Sequence, residues 1–145
     1  MSHEEVPVAA LVAVTDAPLD VSAHERAVAR CSAGATVVFC GVVRDIDAGR
    51  AVVGIEYEAH PDAGRVLREV ADQLAAEPGV LGLAVSHRVG PLAVGDAALV
   101  AAVSSGHRGE AFDVCARLVD EVKRVLPVWK RQVFADGTDE WVNCP

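Results

Sequence analysis

The segment Glu121–Gln132, E-V-K-R-V-L-P-V-W-K-R-Q, decides how this chain is laid out. Upstream of its proline, Phe112, Cys115, Leu118, Val119, Val122 and Leu126 recur at helical spacing and predict a helix from about Glu110 to Leu126. Pro127 has no N–H and pushes the residue before it out of helical geometry, so the helix stops there. Val128–Phe134 then reads as a strand with Val128, Lys130 and Gln132 on one face. A helix and a strand thus meet at a corner, with one lysine on each arm. Lys123 and Lys130 are the only lysines among 13 cationic side chains; the others are arginines. A lysine can be desolvated and lose its proton, whereas a guanidinium stays charged. At 100° per residue Lys123 borders the apolar stripe, while Arg117, Asp120 and Arg124 lie opposite. An alternative reading is simpler: Lys123 is a cation in a last helical turn, complementing the macrodipole.

Working outward, Asp136-Gly137 signals a turn, and Trp141-Val142 is expected to pair back in a final hairpin. On the other side, Ser104-Ser105-Gly106-His107-Arg108-Gly109 joins a small-residue strand, Ala97–Ser104, to the long helix. Unpaired N–H groups and the positive end of the helix dipole suit such a junction to anions, and Arg108 adds a fixed charge. Ala63–Ala76 predicts a second long helix, with Val66, Leu67, Val70, Ala71 and Leu74 on its stripe and Glu77-Pro78-Gly79 as its stop. Leu81–Val89 follows as a strand whose inner face holds Leu83, Val85, His87 and Val89, and a short connecting segment leads on to Ala97.

Ala35–Val43 is β-branched and apolar and reads as a buried strand ending at Arg44-Asp45. Ala51–Ala59 resumes as a strand, and the two are expected to pair as a hairpin with a long tip. Val8–Val14 is a further strand. Ser22 with Glu25 forms a capping-box pattern for a short helix to about Arg30. Residues 1–5 read as a loose tail. The fold class is α+β in a single domain over 1–145, with mostly antiparallel strands and two long helices.

Composition narrows the function. The chain has 145 residues, 52% hydrophobic and 4% aromatic, so valine, alanine and leucine must fill its core. A net charge of -8 argues against a nucleic-acid surface, which needs a basic face. Cys31, Cys40, Cys115 and Cys144 form no C-x-x-C pair and no zinc-like spacing with histidines, so no metal site is expected. The apolar run Val6–Val14 follows Glu4 and Glu5 with no preceding Lys or Arg, unlike a signal peptide, and is too short to span a bilayer. The expectation is a cytoplasmic protein without membrane contact. No G-x-S-x-G is present, so an acyl-enzyme hydrolase lacks its parts. The residues describe an anion pocket of Arg44, His107 and Arg108 beside two potentially reactive amines.

Five segments carry a resemblance. They are F-C-G-V-V-R at Phe39–Arg44, H-R-V-G at His87–Gly90, S-S-G-H-R-G-E-A-F at Ser104–Phe112, V-K-R-V-L-P-V-W-K-R at Val122–Arg131, and D-E-W-V at Asp139–Val142. In this order and spacing the chain resembles the large, catalytic subunit of molybdopterin synthase from about Ala35 to Val142. The resemblance implies an α/β hammerhead-type fold and a homodimer within a heterotetramer. One small ubiquitin-like sulfur-carrier subunit would dock on each copy, its C-terminal Gly-Gly thiocarboxylate entering a pocket. Two such sulfurs would convert cyclic pyranopterin monophosphate into the dithiolene molybdopterin, with no cofactor supplied by the protein. Carried over by motif, Lys123 and Lys130 are the catalytic lysines. Val42, Val43, Arg44, His107, Arg108, Arg131 and Gln132 join them in binding substrate, with His107 and Arg108 reaching across the dimer. Val42 stands where the family often has a lysine, and Gln132 where an acidic residue is frequent. A non-catalytic partner-binding relative and a Schiff-base lyase using one depressed lysine are the competing readings.

Overall fold

The structure is a computed structural model that describes residues 6–143, so the tail expected at 1–5 lies outside the described residues, as does Cys144. Its elements run β1 (Ala9–Thr15), α1 (Val21–Ala27), β2 (Ala35–Val42), β3 (Ile46–Asp47), β4 (Arg50–Ala59), α2 (Ala63–Ala75), β5 (Val80–Arg88), β6 (Gly90–Ala93), β7 (Ala97–Ser105), α3 (Arg108–Val125), β8 (Val128–Phe134) and β9 (Asp139–Asn143). The chain is mixed α+β, and antiparallel pairings dominate. Only β1 with β5 is parallel among the described strands.

Two sheets form. The first has the order β1-β5-β7-β2; in the second, β4 carries β3 and β6 along one edge and β8, then β9, on the other. Alternation along β5 and β7 sorts the first sheet's faces. Leu83, Val85, Leu99, Ala101 and Val103 pack under α2 and α3 with Leu67, Val70, Leu74, Leu118 and Val122. Ala84 and Ala102 face α1 and its Val28. Leu67, Leu83 and Leu118 are fully buried, and each such side chain contributes about 1.5–3 kcal/mol over an exposed one. The second sheet has its own core of Val43, Val52, Ile55, Tyr57, Leu92 and Phe134.

Three sequence expectations need correction. The strand at 35–43 does not pair with that at 51–59: β2 lies against β7, while β4 pairs with β8, β6 and the two-residue β3. The segment after Arg88 is not a bare connection, since Gly90–Ala93 forms β6 on β4. The cap of α1 is Asp20, whose carboxylate accepts from the Ala23 N–H at 3.1 Å; the helix begins at Val21 and ends at Ala27, so Ser22 is already inside its first turn.

The corner at Pro127 forms as read. Leu126 leaves the helix with φ -66 and ψ 122, the extended conformation a following proline demands. The Pro127 carbonyl then accepts from the His60 N–H at 2.9 Å, tying the corner to the end of β4.

Candidate functional site

Where the C-terminal end of α3 meets both sheets, a cavity of about 210 Å³ opens. Phe39, Leu99, Val122, Leu126 and Val128 give it apolar walls, and Val42, Val43 and Arg44 lie at the end of β2 with Asp47 of β3 beyond. Lys123 comes to it from α3, and Lys130 and Gln132 from β8. The proline corner therefore does what its geometry suggested: one helix and one strand deliver both lysines to one space.

Each side chain is held differently. Lys130 stands directly opposite Tyr57 in the β4–β8 pairing and is half-buried. Gln132, two residues on, is buried at 6% exposure and offers a neutral amide. Lys123 is exposed in the last turn of α3, not sunk into the core. Arg44 is exposed and pairs with Asp47 at 3.4 Å. Val43 is buried and anchors this end of β2, its N–H donating to the Asp96 carbonyl at 3.0 Å and its carbonyl accepting from Gly95 at 2.8 Å. Val42 is half exposed, an uncharged side chain at the mouth.

The remaining candidates lie elsewhere. Arg131 alternates to the other face of β8, where it pairs with Glu56 at 2.7 Å and Asp139 at 3.1 Å and lies over the Trp141 ring. His107 caps the N-terminus of α3, with its carbonyl accepting from the Ser105 hydroxyl, and Arg108 opens the helix. Both are exposed. At 1.5 Å rise per residue, about 22 Å of helix axis separates Arg108 from Lys123. The single anion pocket of Arg44, His107 and Arg108 beside the lysines is thus not assembled within one chain. A rigid helix holds its two ends apart.

Sequence reasoning missed two residues of the cavity, Tyr57 and His87. Their rings meet edge to face at 4.9 Å and 82°, joining the second sheet to the first. Burial holds the His87 pKa below the ordinary histidine value; a hydrogen bond to the Arg88 carbonyl opposes that shift, and the nearby charge of Lys123 adds to it. The signal was present in the period of β5, which put His87 on the inner face; nothing local said what that face would meet.

Among the described residues no group of three or more His, Cys, Asp or Glu side chains could hold a metal ion, and no helix is long and apolar enough to cross a membrane. Cys31 and Cys40 are free and exposed, and Cys115 is free and buried.

Comparison with known proteins agrees with this architecture. The family model described as MoaE protein matches residues 14–125. A molybdopterin synthase catalytic subunit from Nostoc sp. is 37% identical over 133 residues, covering 90% of this chain and 81% of the relative. One from Bacillus subtilis is 32% identical over 131 residues, with 90% and 83% covered. The crystal structure of molybdopterin synthase from Staphylococcus aureus superposes with a TM-score of 0.82 at 30% identity, covering 90% of this chain and 95% of that one. With a matching model across most of its length and relatives of this identity and coverage, the chain belongs to the MoaE protein family.

Proposed function

We propose that this chain is the catalytic subunit of a molybdopterin synthase. It takes sulfur from the C-terminal thiocarboxylate of a small ubiquitin-like subunit and places it on cyclic pyranopterin monophosphate, building the dithiolene in the cytoplasm. The observation that carries this reading is the convergence of the chain's two lysines, from two elements, on one cavity beside Arg44. Thiocarboxylate attack on the pterin side chain gathers anionic sulfur, oxyanion and phosphate charge in one place, and fixed cations stabilise such charge as it develops. Lys123 and Lys130 supply compact ammonium groups that also move protons as sulfur replaces oxygen. Arg44 holds substrate charge at the mouth, Gln132 and the backbone of Val42 orient the ring system, buried Val43 holds this end of β2 in place, and Arg131 stiffens β8 from behind.

The active unit in this reading is a homodimer with one small subunit on each copy. Support comes from the edge position of β2, which has only β7 as a partner among the described strands. Beside that edge lies an apolar groove of Val37, Val38, Phe112, Cys115 and Val119, with Phe112 62% exposed. One end of β2, Ala35, pairs with Ser105 next to His107; the other end, Val42, lines the cavity. A two-fold axis near the middle of β2 would carry one copy's His107 and Arg108 to the other copy's cavity.

The test is reconstitution. The purified chain is mixed with a thiocarboxylated small subunit and cyclic pyranopterin monophosphate, and dithiolene is assayed. Turnover that needs both components is the expected result. Binding of the small subunit without any turnover would mark the chain as a non-catalytic relative, the reading that uncharged Val42 favours.

A further inference from the structure

We infer that His87 is a substrate-contacting residue of this cavity, its Nε2 accepting a hydrogen bond from an N–H or O–H of the uncharged heterocyclic part of the bound pterin. The inference rests on the synthase reading and adds to it the residue that reads the ring rather than the charge.

His87 is the penultimate residue of β5, only 5% exposed, and its ring lines the cavity. Nδ1 lies 2.7 Å from the carbonyl oxygen of Arg88. A carbonyl only accepts, so Nδ1 carries the proton and, in the neutral ring, Nε2 is left with a lone pair. The edge-to-face contact with Tyr57 fixes the ring plane, and Tyr57 is itself fixed opposite Lys130 by the strand register.

The cavity's other polar groups make such an acceptor useful. Arg44, Lys123 and Lys130 can only donate, and Asp47 is paired with Arg44. Besides His87 the neutral side-chain acceptors are the Gln132 amide oxygen and the Tyr57 hydroxyl, both from the second sheet, so His87 is the acceptor the first sheet supplies. A fused pyranopterin carries ring N–H groups as well as a phosphate, and a buried donor left unpaired is costly. The titratable groups that share the cavity with His87 are Lys123 from α3, Tyr57 and Lys130 from the second sheet, Arg44 after β2 and Asp47 of β3. Burial and the Lys123 charge both disfavour the imidazolium, so the ring stays an acceptor at neutral pH.

The experiment uses the reconstituted synthase with the small subunit saturating and the cyclic pyranopterin varied. His87→Asn can keep a donor toward the Arg88 carbonyl but deletes the acceptor at Nε2, and His87→Phe keeps the ring against Tyr57. Both should raise KM for the pterin about tenfold, the equivalent of one lost hydrogen bond to a buried group, with kcat within about threefold. His87→Gln, whose amide oxygen reaches the Nε2 position, should recover most of that KM. In the unmodified enzyme KM should rise as pH falls and His87 protonates, and this acid limb should vanish in His87→Asn. Unchanged KM in folded Asn and Phe variants overturns the inference, as does a Gln variant no better than Phe. A measurement without variants runs alongside: in ¹⁵N-imidazole spectra of the unmodified protein, saturating pterin must shift the Nε2 resonance. A still Nε2 resonance sinks the inference however the variants fold. An unmodified enzyme that neither binds nor converts the pterin would instead refute the synthase reading, and this inference with it.

Discussion

Tyr57 on β4 and Lys130 on β8 are direct cross-strand partners, so the side chain of Lys130 is aimed by the sheet and not by its own flexibility. Lys123 reaches the same cavity from the last turn of α3. In the proposed reaction the geometry of both ammonium groups matters. Lys123→Arg and Lys130→Arg keep the charge but enlarge the donor and remove any exchangeable amine. Each is expected to lower single-turnover rates about 10²-fold or more at saturating small subunit. Arg124→Lys should be nearly silent, because Arg124 is exposed and among the described residues its ion pair is with Glu121. Near-full rates for both lysine variants would reduce these residues to electrostatic anchors.

The separation of Arg108 from Lys123 along α3 makes a distinct prediction. Arg108→Ala and Lys123→Ala chains, each crippled alone, should regain part of the activity when mixed. Up to about one site in two of a hybrid dimer would then draw intact residues from both copies. Mixtures no better than the more active parent would place each site wholly within one chain.

His87 also gives a pH signature in stability. Its folded-state pKa lies below the unfolded value of 6.5, so above that pH both states are neutral and nothing is gained or lost. As pH falls from about 6.5 towards the depressed folded value, the unfolded chain binds the proton first and stability drops, by up to about 1.4 kcal/mol per pH unit. Urea unfolding at pH 7 and pH 5.5 should show this loss in the unmodified protein and a smaller one in His87→Asn. Equal losses in both would mean that His87 titrates normally.

Packing under α1 predicts a contrast between two glycines. A Cβ at Gly82 on β5 would lie 2.8 Å from the Ser104 hydroxyl oxygen and from the Val28 backbone, where there is no room to give. Gly82→Ala should cost about 1–3 kcal/mol by overpacking. A Cβ at Gly64 in the first turn of α2 meets nothing within 4 Å, and Gly64→Ala should stabilise by about 0.4–1 kcal/mol. Thermal midpoints moving in opposite directions would bear this out; a tolerated Gly82→Ala would show that α1 can lift from the sheet.

The sequence by itself determined the two long helices, the longer strands and their inner faces, but not the short β3 and β6. Helical period and a single proline set α3, its stop and β8, because both signals act within a turn or two of the chain. The helical period put Lys123 at a stripe margin, and strand alternation put His87 on an inward face. Only the tertiary structure decided which strands pair. Alternation in 35–43 and 51–59 says which side is buried but not which edge is satisfied, and β2 found its partner in β7 while β4 found β8. Pairing at that distance along the chain is chosen by the packing of both sheets at once. The site divided along the same line. Lys123 and Lys130 meet because a local corner turns them together. His107 and Arg108 do not join them within one chain, because an 18-residue helix keeps its ends apart. Tyr57 and His87 meet because two sheets close over one another, a contact that no local stretch of residues encodes.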